Sequence, residues 1–394
     1  MNRRKFLQTT VATATSGHGL SALPSVEAAT LKDDIETSRR QPKTLDLVVT
    51  RYGTAKEETV KLFRFNEESA QTEYISGLSG IPNPPFLIAS KKRNIIYTVG
   101  DENDRNPSIN AITFDRTNRR LTLLNSQSTV GNQPCFIALS PTEKFAVTAN
   151  YMGTSISVFG IDAAGRISDN LHVIDHTGSG PRHPRQDKPH PHCIVLAPDG
   201  KNMIVPDLGT DRVYLYPVSE SSNRGDVRSF LNVGKSIGIR MPAGTGPRHI
   251  CFHLNGKYAY LISEFSGRIT VFSYRNNRFT QIQSIICDTY QAAGSADIHV
   301  SPDGKFLYAT NRLKNDGIAI FSVDPDTGTL TRIGYQATGK FPRAFCFSPD
   351  ARFVLVVCRD SHSIQIFKRN STTGLLTETE QCIELQNPTF ALFV

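Results

Sequence analysis

An all-β fold built from repeats is what this sequence predicts, and three observations carry the prediction. First, a unit of roughly fifty residues recurs, and fixed periods of that size mark repeat architectures. Ser301-Pro-Asp-Gly-Lys-Phe-Leu-Tyr-Ala-Thr-Asn-Arg312 returns as Ser348-Pro-Asp-Ala-Arg-Phe-Val-Leu-Val-Val-Cys-Arg359, and weaker copies begin at Leu254, Ala197, Ser140 and Ser90. Second, each copy alternates apolar and polar residues with the period of a strand. Third, Pro, Asp, Asn and Gly cluster between the alternating runs, where they supply turn geometry.

Each unit reads as four short strands. A first strand, such as Ile250 to Phe252, is followed by a turn (Leu254-Asn-Gly-Lys257) and a second strand, Tyr258 to Ile262. Third strands follow at Asn110 to Phe114, Ser155 to Phe159, Val213 to Tyr216, Ile269 to Phe272, Ile318 to Phe321 and Ile364 to Phe367. A less regular fourth strand closes the unit, as in Gly328 to Gly334. Four-stranded antiparallel repeats of this length form propeller blades. Six units are complete. Asn387 to Val394 supplies only a first strand, and Thr44 to Thr50 with Thr59 to Phe65 supplies only second and third ones. Pairing the two chain ends gives a seventh blade and leaves no open sheet edge. The expectation is a seven-bladed β-propeller of four-stranded antiparallel blades over residues 44–394, its ring closed by N- and C-terminal strands.

The segment before it reads differently. Asn2-Arg3-Arg4-Lys5-Phe6-Leu7 followed by a Thr/Ala/Val-rich stretch has the form of a twin-arginine export signal, ending near Val26-Glu27-Ala28. Residues 1–28 are expected to be that signal, recognised by the Tat export machinery, with 29–43 a polar linker. The mature protein is then periplasmic or secreted. No later stretch has 18 consecutive apolar residues, so no membrane span is expected. The chain carries a formal charge of +8, of which Arg3, Arg4 and Lys5, offset by Glu27, belong to the signal. The remaining positive excess is spread without a basic block, and no nucleic-acid-binding motif occurs, so nucleic acid is excluded as a partner. An anionic small substrate fits this balance. The seven cysteines show no metal-site spacing; Cys251 and Cys346, each three residues after an Arg, read as small core residues.

Aligning the repeats locates the chemistry. Phe86, Cys135, His192, Arg248, Ala296, Arg343 and Thr389 share one place at the start of the channel-lining strand. One position on stand Leu87, Phe136, Cys193, His249, Asp297, Ala344 and Phe390. At the end of the second strand stand Glu102, Tyr151, Leu208, Glu264, Arg312 and Arg359, with Arg51 in the first blade. The ring therefore collects His, Arg, Glu and Asp unevenly at one mouth of the channel. The long polar stretch 176–191 belongs on the same binding face. No P-loop, nucleophile elbow, zinc-protease motif or nucleotide fingerprint is present. What remains is water chemistry: a His or Glu as general base, and arginines to hold a carboxylate or phosphate and a developing oxyanion. That set suits ring opening of an activated cyclic ester. His183, His190 and His192 lack a partnering carboxylate pattern, so no metal and no cofactor is expected.

Several stretches together are specific: Lys188-Pro-His-Pro-His-Cys193, Val205-Pro-Asp-Leu-Gly-Thr-Asp-Arg-Val-Tyr214, Gly244-Thr-Gly-Pro-Arg-His249, Ile262-Ser-Glu264, Ala296-Asp-Ile-His-Val-Ser-Pro-Asp-Gly304 and Phe341-Pro-Arg343. In these the chain resembles the seven-bladed propeller lactonases, typified by propeller-type 6-phosphogluconolactonase and related to the fungal carboxy-muconate lactonizing enzymes. The resemblance implies an active site in the central cleft and metal-free hydrolysis of a sugar lactone, 6-phosphogluconolactone or a related aldonolactone. Transferred residue by residue, it gives His192, Glu264 and Arg248 as catalytic, with His192 or Glu264 the base. Arg343, then Arg312, His249 and Asp297 are the expected substrate-binding residues. A muconate-type cycloisomerase and a non-catalytic binding propeller are the alternatives. Export itself points away from a cytosolic phosphorylated metabolite and toward an unphosphorylated aldonolactone.

Overall fold

The computed structural model describes residues 43–219 and 226–394. The expected signal 1–28 and nearly all of the expected linker lie outside the described residues. The described chain forms seven four-stranded antiparallel sheets. Blades 2 to 7 run in order over 87–128, 134–175, 195–240, 247–286, 298–337 and 342–384. Blade 1 joins Pro388–Phe393 as its innermost strand to Thr44–Arg51, Val60–Asn66 and Thr72–Leu78. The closure expected from the two chain ends is therefore present: three strands come from the N-terminal side and one from the C-terminus.

Second strands form the rigid layer. Phe145–Asn150, Asn202–Asp207, Tyr258–Ser263, Phe306–Asn311 and Phe353–Cys358 are buried at every residue. Both faces of such a strand meet a neighbouring blade, so the core lies between blades. One apolar cluster joins Tyr260, Ile262 and Val271 of blade 5 to Leu307, Ala309 and Phe321 of blade 6. Another joins Ile204 and Leu215 of blade 4 to Ile250 and Leu261 of blade 5. Removing a side chain such as Leu261, which is fully buried, costs about 2–5 kcal/mol. Polar ties repeat as well. The buried hydroxyls of Tyr97, Tyr260 and Tyr308 each donate to a glycine carbonyl of the next blade: Gly165 at 2.9 Å, Gly328 at 3.0 Å and Gly374 at 2.5 Å.

The Ser-Pro-Asp-Gly segments are turns. Ser301 Oγ donates to Asp303 at 2.5 Å and accepts from the Phe306 amide at 3.0 Å. Gly304 takes a φ of 73°, which suits a residue without Cβ.

A second repeated device lies at the inner end of the blades and aims side chains into the channel. In blades 1, 3, 5 and 7 the inner strand begins with Pro388, Pro134, Pro247 or Pro342. Each proline follows a residue of positive φ: Asn387 at 47°, Gln133 at 48°, Gly246 at 64° and Phe341 at 59°. Across the next residue (Thr389, Cys135, Arg248, Arg343) the pairing register shifts by one. A bulge of this kind bends the strand and re-aims the extra residue. It turns Arg248 and Arg343 off the ladder.

Candidate active site

Three of the bulged residues, Cys135, Arg248 and Arg343, meet the second-strand ends around one cavity of about 520 Å³ at a mouth of the channel. His192, Arg248, Glu264, Arg312 and Arg343 all line it. Five side chains spread over blades 4 to 7 thus converge.

The loops that deliver them are held by two buried carboxylates of the Pro206-Asp-Leu-Gly-Thr-Asp211 segment. Asp207 accepts from the amides of His190 at 2.8 Å and Gly209 at 3.0 Å, and from His176 Nδ1 at 2.7 Å. Gly209 is required there, because a Cβ would lie 1.9 Å from the Lys188 carbonyl oxygen. Asp211 accepts from the amides of Gly244 at 2.7 Å and Gly246 at 2.8 Å, and from Gln186 Nε2 at 2.9 Å. One short segment therefore fixes both the Pro-His-Pro-His loop before His192 and the Gly-Thr-Gly-Pro turn before Arg248.

Glu264 is the electrostatic centre. Its carboxylate pairs with Arg185 at 2.8 Å, Arg248 at 3.0 Å and Arg312 at 3.2 Å. Burial pushes its pKa up, but Arg312, Arg248 and Arg185 outweigh it and hold the group below the ordinary value. It is ionised and its oxygens are taken, so Glu264 organises arginines and is a poor proton acceptor. This corrects its expected place beside His192 as a candidate base.

Arg248 is buried and donates through Nε to Glu264 and through Nη1 to the Ala296 carbonyl at 2.7 Å. Nη1 also lies 3.1 Å from His249 Nε2. Because an arginine only donates, His249 Nε2 accepts and its proton sits on Nδ1, which donates to Asp297 at 2.9 Å. Burial, then the Arg248 charge, lower the His249 pKa to about 4. Asp297 also accepts from His299 Nε2 at 3.0 Å and from the Phe345 amide at 3.2 Å. Both carboxylate oxygens are occupied. His249 and Asp297 do not line the cavity. The expected substrate-binding role is corrected for both: they sit behind Arg248 and fix its orientation.

Arg312 donates through Nε to the Gly294 carbonyl at 2.7 Å and lies 4.6 Å above the Phe341 ring. Arg343 differs from the other arginines. Its guanidinium stands 5.8 Å over the Tyr52 ring and has no hydrogen bond or ion pair with a described residue. A cation lining a cavity without a protein acceptor is placed to receive a ligand anion.

His192 contacts Tyr151 and His249 edge-on, with ring centroids 5.4 and 5.2 Å apart. Its Nδ1 is buried without a hydrogen-bond partner. Burial, then the charges of Arg248, His249 and Arg343, depress its pKa well below 6.5. The imidazole is neutral at physiological pH.

Several lining residues were not among the sequence-derived candidates, Arg185, Asp101, Tyr52 and Gln133 among them. Arg185 comes from the 176–191 loop, whose place on the binding face was expected, and reaches both Glu264 and the Tyr151 hydroxyl, the latter at 3.3 Å. Asp101 and Tyr52 occupy the strand-end position that repeat alignment gives to Glu102 and Arg51. The Asp101 and Tyr52 amides bond Pro82 and Asn387 as the Glu264 amide bonds Gly246. Glu102 is exposed. Asp101 stands eleven residues beyond Ser90, as Tyr151 does beyond Ser140 and Arg312 beyond Ser301, so the repeat spacing itself points to Asp101. Gln133, at the left-handed position before Pro134, lines the same wall. Arg359, aligned with Glu264, instead stacks 3.6 Å from the Phe341 ring and pairs with Asp360.

Fold and site together define a class: a seven-bladed propeller carrying a cationic small-molecule cavity in its channel, equipped with a neutral imidazole. The chain belongs to the lactonase family of seven-bladed β-propellers, whose family model matches residues 46–393. A 6-phosphogluconolactonase of Formosa agariphila is 34% identical over 327 residues, spanning 82% of this chain and 91% of that protein. A 6-phosphogluconolactonase of Bacillus subtilis is 31% identical over 319 residues, spanning 79% of this chain and 87% of that protein. Among solved structures, a periplasmic gluconolactonase of Pseudomonas aeruginosa superposes with a TM-score of 0.83 at 28% identity, covering 89% of this chain and 99% of that one.

Proposed function

We propose that this protein hydrolyses a sugar lactone of the aldonolactone type to its acid, with water activated in the channel cavity. The observation that carries the reading is a neutral His192 lining the same cavity as the unpartnered cation Arg343. The lactonase names of its relatives support the reaction class. His192 takes a proton from water as the oxygen attacks the lactone carbonyl carbon. The negative charge that builds on the carbonyl oxygen falls to Arg248 and Arg343, as preorganised donors stabilise an oxyanion. Collapse breaks the ring C–O bond, and the imidazolium returns its proton to the departing ring oxygen, which becomes a hydroxyl. The nascent carboxylate stays beside the arginines until release. The depressed pKa makes His192 a weak base that is in its competent form at physiological pH, which suffices for a lactone, an ester that opens readily. The muconate-type cycloisomerase expected as an alternative finds no support among these relatives and is set aside.

The test is ring opening of D-glucono-1,5-lactone by purified protein, with the spontaneous rate subtracted. His192→Ala is expected to lower kcat by about 10²–10⁴, the usual contribution of a general base. Wild-type activity in His192→Ala removes His192 from the mechanism.

The propeller also acts outside the cytoplasm in this reading. Support comes from the Arg3-Arg4 segment and from the periplasmic relative. Fusing residues 1–42 to a reporter is expected to export it, and the pair Arg3→Lys with Arg4→Lys to retain it in the cytoplasm. Export that ignores the pair would exclude the twin-arginine route.

A further inference from the structure

Tyr151 follows the second strand of blade 3 as Glu264 and Arg312 follow those of blades 5 and 6, and like them it lines the cavity. Its amide donates to the Gln133 carbonyl at 3.0 Å, as the Glu264 amide does to Gly246 at 2.7 Å. Two histidines fix its ring. His190 stacks on the phenol with centroids 4.3 Å apart, and its Nδ1 donates to the Tyr151 carbonyl at 2.8 Å. His192 meets the same ring edge-on. Tyr151 is half-buried, and its hydroxyl accepts from Arg185 Nη2 at 3.3 Å in a hydrogen bond exposed to solvent. A phenol also has one hydrogen to donate, and no described residue accepts it. Burial raises the Tyr151 pKa, against the Arg185 charge, so that hydrogen is in place at physiological pH. The cavity therefore holds a reachable, unspent donor beside His192, polarised by the arginine that bonds its oxygen.

We propose that Tyr151 is a further catalytic residue: its hydroxyl donates a hydrogen bond to the lactone ring oxygen and stabilises the charge that builds there as the C–O bond breaks. The assignment rests on the lactonase reading. In that reading the His192 imidazolium hands its proton to the departing ring oxygen, so this oxygen comes against His192, and Tyr151 flanks that imidazole. The oxygen has a lone pair for each partner. The transferred proton comes from His192, and Tyr151 keeps its own. The carbonyl oxygen stays with Arg248 and Arg343. An ester ring oxygen accepts weakly and a departing alkoxide strongly, so the contact strengthens toward the transition state and raises kcat without tightening substrate binding.

The experiment measures kcat and KM separately for D-glucono-1,5-lactone in wild type and Tyr151→Phe, with the spontaneous rate subtracted and both proteins checked by thermal unfolding. Phe keeps the ring that stacks on His190 and removes only the hydroxyl, whose one hydrogen bond is long and exposed, so the unfolding midpoint is expected to hold. The expected result is a fall in kcat of about one to two orders of magnitude, as loss of a hydrogen bond to a charged group would give, with KM unchanged. That split marks an interaction made only in the transition state. A rise in KM at constant kcat would make the hydroxyl a ground-state contact and overturn the proposal. Wild-type kinetics in the variant would overturn it as well. Both results leave the lactonase reading standing, whereas no turnover by wild type overturns both.

Discussion

Glu264 and Asp101 close the second strand of blades 5 and 2, share one backbone arrangement, and have opposite surroundings. Three arginines saturate Glu264. Asp101 meets only amides and keeps one oxygen unmatched. The scaffold is common to both, so the difference in chemistry comes from what neighbouring blades place opposite. In blade 5 the carboxylate organises the cations that line the cavity. In blade 2 it meets backbone amides instead.

The strongest way to break this contrast is to remove the centre of the cationic half. Glu264→Ala leaves the buried Arg248 and Arg312 uncompensated, and breaking a buried ion pair by deleting one partner costs about 3–5 kcal/mol. A loss of that size in chemical denaturation is expected. An unchanged midpoint would mean that the arginines relax into solvent. Next comes the loop anchor: Asp211→Ala deprives the Gly244 and Gly246 amides of their acceptor, and about 1–3 kcal/mol of stability should go with it. Arg343→Ala sharpens the comparison among cations, because this guanidinium has no hydrogen bond or ion pair with a described residue. Stability should stay within about 0.5 kcal/mol while kcat/KM falls by about one to two orders of magnitude, the value of a hydrogen bond to a charged group. A stability loss without a kinetic one would reassign Arg343 to the scaffold.

The smallest expected effect is a null one. With the His192 pKa held well below 6.5, its neutral, proton-accepting form persists as pH falls from about 8 through 6.5. The kcat/KM profile should therefore stay level there and drop only at lower pH. A break centred near 6.5 would show an unperturbed base.

Much of this was legible in the chain itself. Strand period, Ser-Pro-Asp-Gly turns and the unmatched ends of the repeat series led to seven blades, because alternation and turn chemistry act over a few residues. His192, Arg248 and Arg343 were found by their shared place before or at the inner strand. Asp101 was missed by one position: it stands eleven residues beyond Ser90, as Tyr151 does beyond Ser140 and Arg312 beyond Ser301, so the repeat spacing itself points to it and not to the exposed Glu102. Arg185 was missed for a non-local reason. It lies 79 residues before the glutamate that it binds, in a loop without a repeat counterpart.

Sequence alone determined the repeat, the closure of the ring by its two ends and the presence of His, Arg and Glu at one mouth. Tertiary structure decided what those groups do. Packing of the blades sets Glu264 among arginines from its own blade, the next blade and the 176–191 loop, leaves Arg343 without an acceptor, and shields His192 until its neutral form prevails. Burial and facing charge are properties of neighbours distant in the chain, and a residue's own sequence window does not contain them.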